Sequence, residues 1–312
     1  MNNPNILEVA AAVVQRPDGE FLLAERPAGK PYAGWWEFPG GKIEAGESPY
    51  HALVRELHEE LGIAVDVAHP WLTRVYSYPH ATVRLHFFRV VNWHGEPHGK
   101  ENQRLSWQYP DAVTVTPLLP ANGPVLRSLN LPPVCAITHA AELGVGVFLE
   151  RLQVALQQGV KLIQVREKAM EAAALRAFAA EVVRRAHSHG ARVVINGDAI
   201  LAREVGADGV QLNSAQLMAL TARPEMELVS ASCHDRRELD RAVELELDFA
   251  LLSPVLPTLS HPGAPVLGWE GFARLAKDLP MPVYALGGIS RADQDEAWRH
   301  GAHGIAMLRG AW

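Results

Sequence analysis

The chain has 312 residues, room for two domains, and its 48% hydrophobic and 21% charged residues are those of an ordinary globular protein. A formal net charge of −6 excludes a broadly basic surface and, with it, a nucleic acid polymer as partner. No apolar run reaches the length of about 18 residues that spans a membrane, and the first residues lack the basic start of a secretory signal, so a cytoplasmic protein away from membranes is expected.

In chain order, ILEVAAAVVQ (6–15) reads as a buried strand, RPDG as a turn and EFLLAERP (20–27) as the second strand of a hairpin. A Gly/Pro-rich loop leads through WWEFPGGKIE to a helix expected over about 49–61, with Ser48 as N-cap, Pro49 at the first helical position and Gly62 as C-cap. Leu53, Val54, Leu57 and Leu61 give that helix an apolar face. Glu56, Glu59 and Glu60 share another face at i, i+3 and i+4, where they repel one another. A hard divalent cation removes that conflict, because Mg²⁺ takes oxygen ligands and bridges carboxylates to phosphates. The plain alternative is a solvated, Glu-rich surface helix. IAVDV reads as a short strand, WLTRVYSY and ATVRLHFFRVVNW as a hairpin around Pro79 and His80, EPHGKENQRLSW as a polar loop closing on a short strand, and ANGPVLRSLNL as a terminal helix. Mixed strands with one such helix suggest an α+β fold or an αβα sandwich.

Residues 41–63 resemble the Nudix box of diphosphate hydrolases, G-x5-E-x7-R-E-U-x-E-E-x-G-U, through Gly41, Glu47, Arg55, Glu56, Leu57, Glu59, Glu60, Gly62 and Ile63 without a gap. The EFPGGKIE lead-in, the GEPHGKE loop and the segment around Ala121 to Val125 resemble the 8-oxo-dGTP diphosphatase (MutT-like) branch. The resemblance implies a Nudix fold over 1–130, a mixed sheet with a catalytic loop-helix-loop. It implies metal binding, by Mg²⁺ or Mn²⁺, at Glu56, Glu59, Glu60 and Glu101 and at the Gly40 carbonyl, with Glu56 and Glu101 as candidates for the general base. It places Arg26, Phe38 and Asn122 around a nucleoside triphosphate substrate that is split to monophosphate and pyrophosphate. An amide such as that of Asn122 can both donate to and accept from a purine edge. A nucleotide-contacting arginine of the branch is Ala81 here, and Tyr78 replaces a phenylalanine. Arg55 and Glu47 read as a structural ion pair that shapes the loop.

From Pro133 onward short apolar runs alternate with helical stretches: 134–138, 161–166, 192–196, 209–213, 227–233, 249–255, 282–286 and 304–308. Eight strands with seven helices read as an α/β (β/α)8 TIM barrel over 131–312, with the eighth helix missing or a stub and Gly206-Ala207 and Gly301-Ala302 as helix-to-strand turns. Cys135 and Cys233 sit in apolar runs and read as buried free thiols, with a disulfide as the lesser alternative. QVREK (164–168), VIN (194–196), SPVLPT (253–258) and ALGGI (285–289) resemble thiamine-phosphate synthase and its TenI-type tautomerase relatives. The resemblance implies a ligand site of Gln164, Arg166, Lys168, Asn196, His234, Gly287 and Gly288 for a phosphorylated thiazole or pyrimidine. Gly197 and Gln216 stand where the synthase carries acidic metal ligands, His139 replaces an aspartate and His261 a lysine. Asp198, one residue away, is the nearest substitute. Loss of synthase activity is therefore expected.

The reading that follows is a Mg²⁺-dependent nucleoside triphosphate diphosphatase, 8-oxo-dGTP first among substrates, fused to a barrel that has lost its synthase chemistry. The alternative is a thiamine-pathway enzyme whose first half hydrolyses a pyrimidine or thiamine diphosphate and whose barrel is tautomerase-like or senses a ligand.

Overall fold

The computed structural model describes residues 6–259 and 263–312, so His261 lies outside the described residues. The chain divides into two compact units. One runs to Leu131 and takes in Lys277–Pro280; the other comprises Pro132–Ala276 and Met281–Trp312.

In the first unit β1 (Leu7–Val14) is central. It is followed by β2 (Phe21–Glu25), β3 (Trp36–Glu37), β4 (Gly40–Lys42), the box helix α1 (Pro49–Leu61), β5 (Ala64–Ser77), β6 (Thr82–His94), β7 (Leu105–Gln108) and α2 (Gly123–Leu129). One mixed sheet has the order β4-β1-β6-β5, and a second, antiparallel sheet the order β3-β2-β7. Ala10, Ala12 and Val14 pack with Leu53, Leu57 and Leu61 of α1, while Ala11 and Val13 pack on the opposite face with Val125, Leu126 and Leu129 of α2. Strand alternation thus sends β1 into a core on each face, which is why its sequence is apolar throughout.

Two expectations are corrected here. β1 and β2 do not form a hairpin: they belong to different sheets and separate beyond the bridge Gln15↔Phe21 beside the turn. A strand has two hydrogen-bonding edges, and those of β1 are taken by β4 and β6, so β2 pairs with β3 and β7 instead. The stretches IAVDV and WLTRVYSY are not separate strands but the one strand β5. Pro70 is accommodated because β5 is an edge strand with register irregularities on both sides of it.

The second unit is a closed parallel barrel of β8 (Val134–Ile137), β9 (Leu162–Val165), β10 (Arg192–Asn196), β11 (Gly209–Leu212), β12 (Leu228–Cys233), β13 (Phe249–Leu252), β14 (Val283–Leu286) and β15 (Gly304–Met307), each within a predicted run. Helices α3 (Ala140–Leu143) to α10 (Gln294–Arg299) lie between the strands, and a 3-10 turn at Arg309–Ala311 stands where the eighth helix would be. Gly206 and Gly301 both take positive φ just after a helix, as helix-ending turns require. Cys135 and Cys233 are buried free thiols. Among the described residues no helix is long and apolar enough to cross a membrane.

Candidate functional site

The box helix begins and ends as its sequence dictates. Ser48 accepts a hydrogen bond from the His51 N–H, Pro49 opens the first turn, and Gly62, at φ 69°, donates its N–H to the His58 carbonyl. Ala52, Leu53, Leu57 and Leu61 are buried against the sheet, and Glu56 and Glu60, flanking that buried face, come up against the Gly40–Gly41 strand. The backbone there must come close. A Cβ at Gly41 would lie 2.1 Å from the Glu56 carboxyl carbon, and one at Gly40, where φ is +141°, would lie 2.1 Å from the Ala10 carbonyl oxygen. Gly40 requires glycine, because its obstacle is backbone and its φ is positive, whereas a side chain at Gly41 would have to displace the Glu56 carboxylate.

Arg55 organises one end of the carboxylate face. Its guanidinium donates to both carboxylate oxygens of Glu47 at 3.0 and 3.1 Å, to Glu56 at 2.8 Å, to Glu59 at 3.3 Å and to the Lys42 carbonyl at 3.0 Å. The Arg55–Glu47 pair expected from the sequence is therefore present, and it fixes the loop onto the helix. Replacing Arg55 by Met should lower the melting temperature by a few degrees as well as the rate by about tenfold. A loss of rate with an unchanged melting temperature would deny the structural role.

Glu60 lies on the inner side of the face, 3.4 Å from the Gly40 N–H. Burial pushes its carboxyl up to about 7, the Lys30 charge and the Gly40 N–H lower it in part, and the charges of Glu56 and Glu101 raise it further. Glu101 reaches this place because its loop closes the end of α1. The N–H groups of His98 and Lys100 donate to the carbonyls of Leu61 and Glu60, and the Gln103 side chain donates to the Glu60 carbonyl at 3.1 Å and accepts from the Glu101 N–H at 2.8 Å. These residues satisfy helix-end carbonyls that otherwise lack partners. The Glu101 carboxylate is held by Lys30, 2.7 Å away.

Five groups were expected around a metal: Gly40, Glu56, Glu59, Glu60 and Glu101. The structure gathers them at one end of the unit but does not converge them. Among the described residues no three His, Cys, Asp or Glu side chains form a ready coordination sphere. Arg55 draws Glu56 and Glu59 to one side and Lys30 draws Glu101 to the other. Gly40 turns its N–H, rather than its carbonyl, to Glu60. The donor set nevertheless suits a divalent cation: a desolvated carboxylate crowded by two others lacks a full counter-charge, and an ammonium already sits beside it.

That crowding has a measurable consequence. In the unfolded chain Glu60 titrates near 4.5 and in the folded chain near 7, so between those values the folded state binds more protons. The metal-free protein therefore loses stability, relative to a Glu60→Gln variant, as pH rises from about 5 to 8. Added Mg²⁺ should raise the melting temperature more at pH 8 than at pH 5. Equal Mg²⁺ effects at the two pH values would contradict this.

The three predicted nucleotide residues have different surroundings. Arg26 is engaged, donating to both oxygens of Glu37 at 2.7 and 2.6 Å and to the Pro31 carbonyl at 2.7 Å. Phe38 is a core residue, 4% exposed and packed between Phe21 and Phe87. Asn122 is buried, its amide donates to the Trp36 carbonyl at 3.3 Å, and its side chain makes no helix-cap bond with α2. Sequence reasoning missed the ring cluster of Tyr32, Tyr76, Tyr78 and His80 beside them, with Tyr78 within 5.6 Å of each of the others. The run YSYPH was the available signal.

In the barrel, a cavity of about 780 Å³ opens at the strand ends, and all seven predicted residues line it. Gln164 is 2% exposed; its amide donates to Asn196 at 3.1 Å and its carbonyl oxygen has no partner among the described residues. Burial lowers the Arg166 pKa, which the neighbouring Glu167 opposes. His234 Nδ1 lies 2.8 Å from the Ser253 carbonyl, which can only accept, so Nδ1 carries a proton, and in the neutral ring the lone pair is on Nε2. Gly287 and Gly288 have positive φ, and a Cβ on either would strike Pro254 or Pro257, so the turn itself demands glycine there.

Gly197 and Gln216, expected in place of acidic metal ligands, are tied into other bonds. The Gln216 amide donates to the Gly197 carbonyl at 2.7 Å, and its carbonyl accepts from the Asn213 N–H in a capping box that starts α7 (Ser214–Ala219). Asp198, the possible substitute, is committed as N-cap of α6 (Ala199–Glu204), accepting from Leu201 N at 2.8 Å. His139 is buried, and its Nδ1 has no partner among the described residues.

This is a two-domain architecture in which a unit built around a diphosphate-hydrolase type of helix is followed by a closed, eight-stranded parallel barrel. Residues 6–129 match the NUDIX domain family and residues 134–311 the Thiamine monophosphate synthase (TMP-TENI) family. The chain is 42% identical over 123 residues to the CTP pyrophosphohydrolase of Escherichia coli K12, covering 39% of this chain and 90% of that protein. It is 37% identical over 124 residues to the 8-oxo-dGTP diphosphatase of Haemophilus influenzae, covering 40% and 91%. It is 34% identical over 171 residues to the thiamine-phosphate synthase of Streptococcus suis, covering 52% and 74%. The chain belongs to the Nudix hydrolases through its first part and to the thiamine monophosphate synthase/TenI family through its second.

Proposed function

We infer that the first unit hydrolyses a nucleoside triphosphate to monophosphate and pyrophosphate with Mg²⁺, and that 8-oxo-dGTP is its substrate. The observation that carries this reading is the desolvated Glu60, crowded by Glu56 and Glu101 at the end of an intact box helix. A divalent cation bound there supplies neutralisation of the phosphate charge and a more acidic water. The chain's own groups do the rest. Glu56, Glu59, Glu60 and Glu101 hold the cation, and Arg55 braces Glu56. Glu56 or Glu101 takes the proton of the attacking water. Asn122 meets the base edge, and the rings around Tyr78 cover its face. Release of pyrophosphate from 8-oxo-dGTP tests the assignment. The 42% identity to a CTP pyrophosphohydrolase makes CTP the second substrate to assay, and preference for CTP would replace the base while leaving the chemistry.

For the barrel, the reading is a metal-independent site for a thiazole monophosphate, with His234 Nε2 as the group able to move a proton and no synthase reaction. The Gln216 amide supports it, because it puts no carboxylate where a cation would need one, and Asp198 already gives one oxygen to the N-cap of α6. Calorimetric titration of the full-length chain with a thiazole monophosphate should give binding that EDTA does not alter and that Arg166→Ala weakens at least tenfold. Binding that requires Mg²⁺, or condensation of the thiazole monophosphate with a pyrimidine diphosphate, would contradict it.

A further inference from the structure

Lys30 belongs to no motif and lies on the loop between β2 and β3, yet carboxylates from three elements act on it. Its Nζ is 2.7 Å from Glu101 of the 98–103 loop, and the charges of Glu60 on α1 and Glu37 on β3 favour the same ammonium against the cost of its burial. The other cations nearby are committed: Arg55 serves Glu47, Glu56 and Glu59, and Arg26 serves Glu37 and the Pro31 carbonyl. The Glu60–Glu101 side of the cluster thus has Lys30 as its counter-charge.

We propose that Lys30 is a tethered cation that holds the Glu60–Glu101 side of the cluster until metal arrives, competes with the metal there, and is released by it toward the incoming triphosphate. The proposal rests on the metal-site reading above. An ammonium offers three donors and no acceptor, so it cannot share a coordination sphere. Its charge repels a divalent cation a few ångströms away. A metal that takes Glu101 Oε2 must break the 2.7 Å contact, and one that takes Oε1 draws on a carboxylate charge that the ammonium already offsets. Once displaced, the ammonium sits on a flexible four-carbon stem, and the strongest negative charge then within reach is the substrate phosphate chain. Lys30 is a positioning residue in this account, acting first on the carboxylates and then on the substrate.

The test uses the full-length chain and Mn²⁺ alone, with free Mn²⁺ counted by electron paramagnetic resonance. Lys30→Met should bind Mn²⁺ about threefold or more tightly than the wild type, since one exposed ion pair no longer opposes the metal. Lys30→Arg, which keeps the charge, should match the wild type. With saturating Mg²⁺, Lys30→Met should show a raised KM for the triphosphate and a kcat within about twofold of wild type. The Lys30 side chain is 45% exposed, so the variant should melt with the wild type. Equal or weaker Mn²⁺ binding by Lys30→Met overturns the competition, and an unchanged KM overturns the release. No saturable Mn²⁺ binding by any of the three proteins overturns the metal-site reading itself and this proposal with it.

Discussion

Glu60→Gln should lower Mg²⁺-dependent hydrolysis at least about 100-fold, in kcat rather than KM, while leaving the metal-free protein more stable at pH 8. The substitution keeps the shape and removes the charge. In the folded chain that charge is costly: burial disfavours it and Glu56 and Glu101 repel it. A group kept in spite of such a cost is a functional candidate with a stated physical reason. The two effects have opposite signs, so a mere folding defect cannot mimic the result. Steady-state rates and melts in EDTA at pH 8 read both. A variant that keeps wild-type rates would show that Glu60 is not a metal ligand.

Gly40→Ala should destabilise the first unit by about 3 kcal/mol or more and abolish hydrolysis. Two independent obstacles meet there. The backbone lies at φ +141°, and the new methyl would fall 2.1 Å from the Ala10 carbonyl and 2.9 Å from the Ala11 Cα. Relief requires parting β4 from β1, which moves the strand that sets the Glu60 carboxylate. Gly46 provides the contrast. Its φ is +83°, but nothing lies within 4 Å of a Cβ, so Gly46→Ala should cost only about 1 kcal/mol. Amide hydrogen exchange along β1 and β4 would show the difference locally. Equal protection in the two variants would contradict the close-approach argument.

The parts that were legible in the sequence are those fixed by short-range rules. Ser48, Pro49 and Gly62 delimit the box helix at the residues expected, because caps act over three or four residues. Every barrel strand falls within its predicted run, since parallel strands covered on both faces are predominantly apolar and stand out from the helices between them. What was not legible depends on partners far apart in the chain. The β1–β2 hairpin was expected because the RPDG turn invites one, but β4 and β6 take the two edges of β1 from about 30 and about 75 residues away. Lys30 was invisible because its contact with Glu101 spans 71 positions and neither loop advertises the other. Phe38 and Arg26 carried a nucleotide reading by resemblance. In the structure the first is packed into the core and the second is engaged with Glu37, facts that only the folded neighbours reveal.

The central claim is that the Glu-lined end of the first unit is a metal-dependent nucleoside triphosphate diphosphatase. Its most direct test is pyrophosphate release from 8-oxo-dGTP and from CTP by the full-length protein, with Mg²⁺ and with EDTA. The account predicts monophosphate and pyrophosphate in equal amounts, with 8-oxo-dGTP the better substrate and no turnover in EDTA. Turnover of neither nucleotide, alongside hydrolysis of a pyrimidine or thiamine diphosphate, would contradict it.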